Sequence, residues 1–132
     1  MDLIEQIKQN ARENRQRIVL PEGDEARTLK AADQLLADGI ADVILIGPGQ
    51  TIRDMANEFG LKNIDKATIV DPKNNPDRDK YANLLFELRK SKGMTIEQAQ
   101  ELAETFMYLG VLMLKAGDAD GELAGARGTT AD

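Results

Sequence analysis

The sequence contains no cysteine and no histidine, and its aromatic residues are three phenylalanines and two tyrosines. Without cysteine there is no disulfide, no thiolate metal site and no thiol nucleophile. Without histidine, the commonest general base and the commonest zinc ligand are both missing. No apolar run approaches the ~18 residues of a membrane-crossing helix. Residues 1–5 lack the basic start and long apolar centre of a secretory signal, so a cytoplasmic protein is expected. Positive charge is also in short supply. Seventeen Lys and Arg stand against 23 Asp and Glu, a net charge of −6. That balance argues against nucleic acid as a general partner. It leaves room for a local basic patch that takes an anionic small molecule.

What is present is an ordinary core composition. The chain has 132 residues, 42% of them apolar, enough for one domain with a buried interior. Apolar runs alternate with amphipathic stretches. Residues 2–14 are predicted as a helix carrying Leu3, Ile4, Ile7 and Ala11 on one face. Ile18-Val19-Leu20 is a short run without polar alternation, stopped by Pro21, and is predicted as a buried parallel strand. Asp24 is placed as N-cap of a helix reaching Asp38, with Gly39 as its stop; Leu29, Ala32, Leu35 and Leu36 face inward. Residues 42–47 form the second strand and 51–59 the next helix, ending at Gly60. Residues 67–70 form the third strand and 71–76 a Pro- and Asn-rich loop. A helix over 77–90 turns Tyr81, Leu84, Leu85 and Leu88 inward, and Gly93 closes it. Thr95 and Gln98 fit a capping box for a helix running at least to Phe106. Residues 107–115 are predicted to be helical, with a kink near Gly110 and Gly117 as the stop. Residues 122–126 are a weak strand of small residues. The class is α/β with a mainly parallel sheet flanked by helices.

Several groups can carry chemistry. Turn 22–25 follows the first strand, where ligands sit in open α/β sheets; read locally, it is a capping turn with Arg27 as a surface ion-pair partner. The turn Gly47-Pro48-Gly49 is not a phosphate loop, because it lacks the GxxxxGK[ST] pattern and Pro48 has no backbone donor. The cluster Arg89-Lys90-Ser91-Lys92 ends a helix. Its cations complement the helix dipole, or they bind an anion. Asp118 and Asp120 are turn residues, and two carboxylates are too few for a metal. The chain ends in small residues, glycines and the hydroxyl pair Thr129-Thr130, which can donate and accept hydrogen bonds.

Four ordered stretches carry a resemblance: Arg17-Ile18-Val19-Leu20-Pro21-Glu22-Gly23-Asp24-Glu25-Ala26-Arg27, then Val43-Ile44-Leu45-Ile46-Gly47, then Leu88-Arg89-Lys90-Ser91-Lys92-Gly93-Met94-Thr95, then the segment from Gly110 to Asp132. Together they resemble the N-terminal portion of the phosphate acetyltransferase (phosphotransacetylase) family. The resemblance implies the first domain of the isocitrate/isopropylmalate dehydrogenase-like fold, incomplete over residues 1–132. It implies acetyl transfer between coenzyme A and inorganic phosphate, with coenzyme A, acetyl-coenzyme A, acetyl phosphate and phosphate as substrates. No cofactor, metal or membrane partner is implied, and a homodimer is. Arg89 matches the family's coenzyme-A-binding arginine in an LRKxKG motif, and Lys90 and Lys92 become steering charges. Thr129 and Thr130 match a cleft-facing hydroxyl pair that holds phosphate or acetyl oxygens. Where the family usually has a His before that pair, this sequence has Gly128. The family's catalytic Asp, its neighbouring Ser-Arg pair and the Arg of its Leu-Arg-Pro motif would all lie beyond Asp132. The fragment alone is therefore expected to be inactive. Alternatives are a phosphate butyryltransferase, an acyl-coenzyme-A-sensing domain like those fused to malic enzymes, and a dimerising scaffold. Met1 followed at once by a helix argues against an upstream malic domain.

Overall fold

In the computed structural model, Glu13 and residues 15–122 are described. Apart from Glu13, which is helical, the helix expected over 2–14 therefore lies outside the described residues, as do Thr129 and Thr130. Among the described residues, four strands form the sheet: β1 (Gln16–Leu20), β2 (Ala41–Ile46), β3 (Thr68–Val70) and β4 (Gly121–Glu122). All neighbours pair in parallel, in the order β3-β2-β1-β4. Among the described residues, five α-helices join them: α1 (Ala26–Asp38), α2 (Gly49–Glu58), α3 (Arg78–Arg89), α4 (Ile96–Ala103) and α5 (Phe106–Lys115).

The unalternating strands are buried on both faces. Leu20, Val43 and Leu45 pack with Leu29, Ala32 and Leu36 of α1 and with Ile52 and Ala56 of α2. Val19, Ile44 and Ile46 point the other way. They meet Tyr81, Ala82 and Leu85 of α3, Ala99 and Ala103 of α4, and Leu109, Leu112 and Met113 of α5. Successive side chains leave a strand on opposite faces, so one apolar run supplies two cores. The sheet is thus a layer between α1–α2 and α3–α5.

Stops fall where glycines were read. Gly39, Gly60, Gly93 and Gly117 all take positive φ, a region closed to most L-residues. The capping box of α4 is formed in full: Gln98 N–H donates to Thr95 Oγ1 at 3.1 Å, and Thr95 N–H donates to Gln98 Oε1 at 3.0 Å.

Three expectations need correction. The N-cap of α1 is Glu25, one residue after Asp24, and its carboxylate accepts from the N–H groups of Arg27 at 2.8 Å and Thr28 at 3.1 Å. The break between α4 and α5 falls at Glu104–Thr105 and not at Gly110. Thr105 takes extended backbone as N-cap of α5, and its hydroxyl donates to Leu102 O at 2.7 Å. Gly110 sits inside α5 for another reason: a Cβ there would strike the Glu122 carboxylate and come within 2.9 Å of Pro21 Cγ. Finally, Leu88 is 47% exposed, because every residue over 87–93 is exposed and the end of α3 projects from the packed body. The strand expected at 122–126 is described only as Gly121–Glu122.

Candidate functional site

Strand order reverses at one place. From β1 the chain steps outward to β2 and β3, then returns to the other side of β1 as β4. In open parallel sheets such a reversal leaves a crevice outside the carboxyl ends of the two strands, and ligands bind there. Here that position lies between turn 21–25 after β1 and Glu122 at the end of β4, from which the chain continues to the stretch containing Thr129 and Thr130.

The turn is built for close approach. Gly23 N–H donates to Ile46 O at 2.9 Å, and a Cβ on Gly23 would lie 2.8 Å from that oxygen. Pro21 and Glu22 are buried. Burial pulls the Glu25 carboxyl upward, but the backbone N–H groups of Thr28 and Arg27 outweigh it and hold the group below its ordinary value. Arg27 pairs with Glu25 at 3.5 Å, as the local reading of this turn expected. On the other wall, Glu122 Oε2 is buried without a hydrogen-bond partner among the described residues. Burial alone pushes its carboxyl up. Nothing in the amino-acid order marked this acid, because Glu122 looked like an edge residue of a weak strand.

Arg89 ends α3 and is followed by a 3₁₀ turn, Lys90–Lys92. Gly93, at φ 92°, lets the chain reverse, and Met94 N–H returns to Arg89 O at 3.3 Å. Lys90 is held by Glu87 at 2.7 Å. Among the described residues, no side chain pairs with Arg89 or Lys92. The guanidinium is therefore presented to solvent on a projecting tip, in a form able to make a two-point contact with phosphate. The described residues do not bring Arg89 together with Thr129 and Thr130, which lie beyond them.

At the opposite, amino-terminal edge lies a cleft of about 460 Å³ lined by Arg17, Asp42, Lys66, Lys80, Tyr81 and Asp118 among others. These charged groups are engaged, Lys80 with Asp118 inside the cleft and Arg17, Asp42 and Lys66 with Asp120, Arg15 and Asn63 beside it. Asp118 accepts from Lys80 Nζ at 2.7 Å and from the Tyr81 hydroxyl at 2.5 Å. Those two bonds hold Asp118 below the usual carboxylate range. Burial, then the bond to Asp118, pushes the Tyr81 hydroxyl well up. Asp120 is depressed by the Arg17 guanidinium. Sequence reasoning placed both aspartates in the turn but missed their partners, which are 37 and 103 residues away.

Together, the parallel sheet, the order reversal and the cation-bearing helix tip define an α/β domain whose candidate ligand site is the carboxyl edge of its strands. The chain belongs to the phosphate acetyl/butaryl transferase family, whose model matches residues 2–132. It is 48% identical over all 132 residues to a phosphate acetyltransferase of Thermoanaerobacterium thermosaccharolyticum, and 44% identical to one of Acetivibrio thermocellus. In each case it covers 39% of the relative. The fold is also that of a phosphotransacetylase from Streptococcus pyogenes, with TM-score 0.85 and 32% identity over 99% of this chain and 40% of that one. The EutD phosphotransacetylase from Staphylococcus aureus gives a TM-score of 0.83 at 31% identity, over 96% of this chain and 39% of that one. The expected family and α/β fold thus hold. Among the described residues, no helix is long and apolar enough to cross a membrane.

Proposed function

We propose that this chain is the N-terminal, coenzyme-A-contacting portion of a phosphate acetyltransferase. The observation that carries this reading is the family match across residues 2–132, joined to relatives of that name at 39% coverage of their length. The reaction is reversible acetyl transfer between acetyl-coenzyme A and inorganic phosphate. In the direction of thioester formation, the coenzyme A thiol gives its proton to a base and its sulfur attacks the carbonyl carbon of acetyl phosphate. The carbon–oxygen bond to phosphate then breaks, and phosphate leaves with the electron pair.

Such a reaction needs cationic clamps for phosphate, a base for the thiol and a donor for the developing oxyanion. Arg89 is placed as a clamp for coenzyme A phosphate, with Lys92 steering the anion in. Thr129 and Thr130 are placed as donors to substrate oxygens. The base and the remaining clamps are assigned to residues outside these 132. Positioning groups without a base give little rate, so the chain by itself binds substrate weakly and does not turn it over. A cytoplasmic homodimer is the working assembly of the whole enzyme.

Thioester formation from acetyl phosphate and coenzyme A, followed by ultraviolet absorbance, tests this on two samples. The 132-residue chain is expected to show none. The protein purified from its source cells is expected to show it, at a mass near ~35 kDa, that of a two-domain chain. A source protein of 14.5 kDa without transfer would overturn the reading in favour of a sensing or scaffold domain.

A further inference from the structure

The turn between α5 and β4 makes more long-range polar contacts than its position at the amino edge of the sheet would require. Arg17 and Asp120 clasp each other through main chain and side chain. Asp120 N–H donates to Arg17 O at 2.7 Å. Arg17 N–H donates to Asp120 Oδ2 at 2.8 Å, Nε to the same oxygen at 3.1 Å, and a terminal nitrogen to Oδ1 at 3.1 Å. The guanidinium also donates to Gly117 O at 2.8 Å. Two residues earlier, Asp118 holds the first turn of α3 through Lys80 and Tyr81. The Asp118 and Ala119 N–H groups close onto Met113 O of α5, at 2.9 and 3.2 Å. One short turn therefore ties β1, α3 and α5 together at a point.

Two elements leave that point, β4 and α3. Strand β4 is described over two residues and pairs with β1 only as Ile18↔Gly121 and Val19↔Glu122. Its register thus depends on the neighbouring Arg17–Asp120 clasp, since a one-residue slip would turn each side chain to the other face. Along α3, Arg89 lies eight residues beyond Tyr81, about 12 Å up the helix. Among the described residues, the projecting end of α3 makes no side-chain ion pair except Lys90–Glu87; the direction of α3 is set further back, by its buried Tyr81, Ala82 and Leu85, by Arg78 on Glu104 at 2.8 Å and by the Asp118 contacts to Lys80 and Tyr81.

We propose that Asp118 and Asp120 are positioning residues: they form a latch at the amino edge of the sheet, holding α3 and β4 in a fixed frame so that Arg89 at the end of α3 and Glu122 at the end of β4 keep their spacing. The ligand part of this inference rests on the reading under Proposed function. The latch itself does not.

Backbone hydrogen exchange and coenzyme A calorimetry on the 132-residue chain test it together. Asp118→Ala and Tyr81→Phe should speed exchange about five- to tenfold in β4 and over residues 88–93, while β2 amides stay at the wild-type rate. Coenzyme A affinity should fall by a similar factor. Asp118→Asn keeps an acceptor oxygen for the hydroxyl and the ammonium, so it should recover to within about twofold. Uniformly faster exchange, including β2, or no change in β4 and 88–93, would overturn the latch. If the wild-type chain does not bind coenzyme A, the functional reading fails and the exchange pattern alone decides the latch. If Asp118→Ala does not fold, Tyr81→Phe, which removes one hydroxyl, decides between the same two outcomes.

Discussion

Gly110 and Glu122 are best understood together. An interior helical glycine is ordinarily improved by alanine, by roughly 1 kcal/mol. At Gly110 the sign should reverse, because the added Cβ meets the Glu122 carboxylate and Pro21 Cγ. Gly110→Ala should cost about 1–3 kcal/mol in chemical denaturation, and a gain in stability would contradict the close contact. Glu122 makes a pH prediction. Its carboxyl is raised above an ordinary value of 4.5, so the folded chain holds that proton more tightly than the unfolded one. Folding is then fully favoured below about 4.5 and loses stability as pH rises from there through the folded value. Asp118 and Asp120 act with the opposite sign. Both are held below an ordinary value of 3.8, so their contribution is present above it and is lost as pH falls through the folded values. Glu122→Gln should flatten the decline on the neutral side and leave the acid limb unchanged. A melting series from pH 3 to 8 checks both arms. Arg89 has no partner among the described residues, so Arg89→Ala should leave stability within about 0.5 kcal/mol and weaken coenzyme A by about 1–3 kcal/mol. Equal affinity by calorimetry would take Arg89 out of the site.

Helix ends carry much of the local order. Thr95→Ala removes one half of the α4 capping box and should cost about 1 kcal/mol, with exchange rising first at residues 96–98. Gly93→Ala forces a side chain into φ 92°, at a cost of about 1–2 kcal/mol, and disturbs the turn that presents Arg89. These ends were readable from the amino-acid order because capping chemistry is local: Thr95 and Gln98 lie three residues apart, and Gly39, Gly60, Gly93 and Gly117 follow the last apolar position of α1, α2, α3 and α5. The break before α5 was not readable in the same way. Glu104–Thr105 carries no glycine or proline, and Glu104 is drawn into an ion pair with Arg78 at 2.8 Å, 26 residues away. Gly110 misled for a related reason, since its role is to admit Glu122, a neighbour supplied by tertiary packing. Leu88 fits the inward stripe of α3 by periodicity, but a stripe shows which face can be buried and not how far along the helix burial continues.

The fold's layers follow from two apolar strands that face both ways, and the sequence pattern was sufficient to expect them. The pairing of Asp118 with Tyr81, of Asp120 with Arg17, and the orphaned Glu122 each depend on β4 returning beside β1, a long-range choice that no short window records. That return also creates the strand-order reversal at which the candidate site lies. Arg89 became a candidate through its motif, and its exposed place at the end of α3 agrees with that role. If the functional reading holds, coenzyme A meets this chain at the carboxyl edge of β1 and at the tip of α3. A coenzyme A titration of the isotopically labelled 132-residue chain, followed amide by amide in NMR spectra, reads that placement without an intermediate step. Saturable shifts should gather in residues 21–25 and 89–93 and in the stretch after β4. Shifts gathering instead in the cleft between α2 and β3, around Arg53, Asn57 and Lys62, or no saturable shift at all, would contradict it.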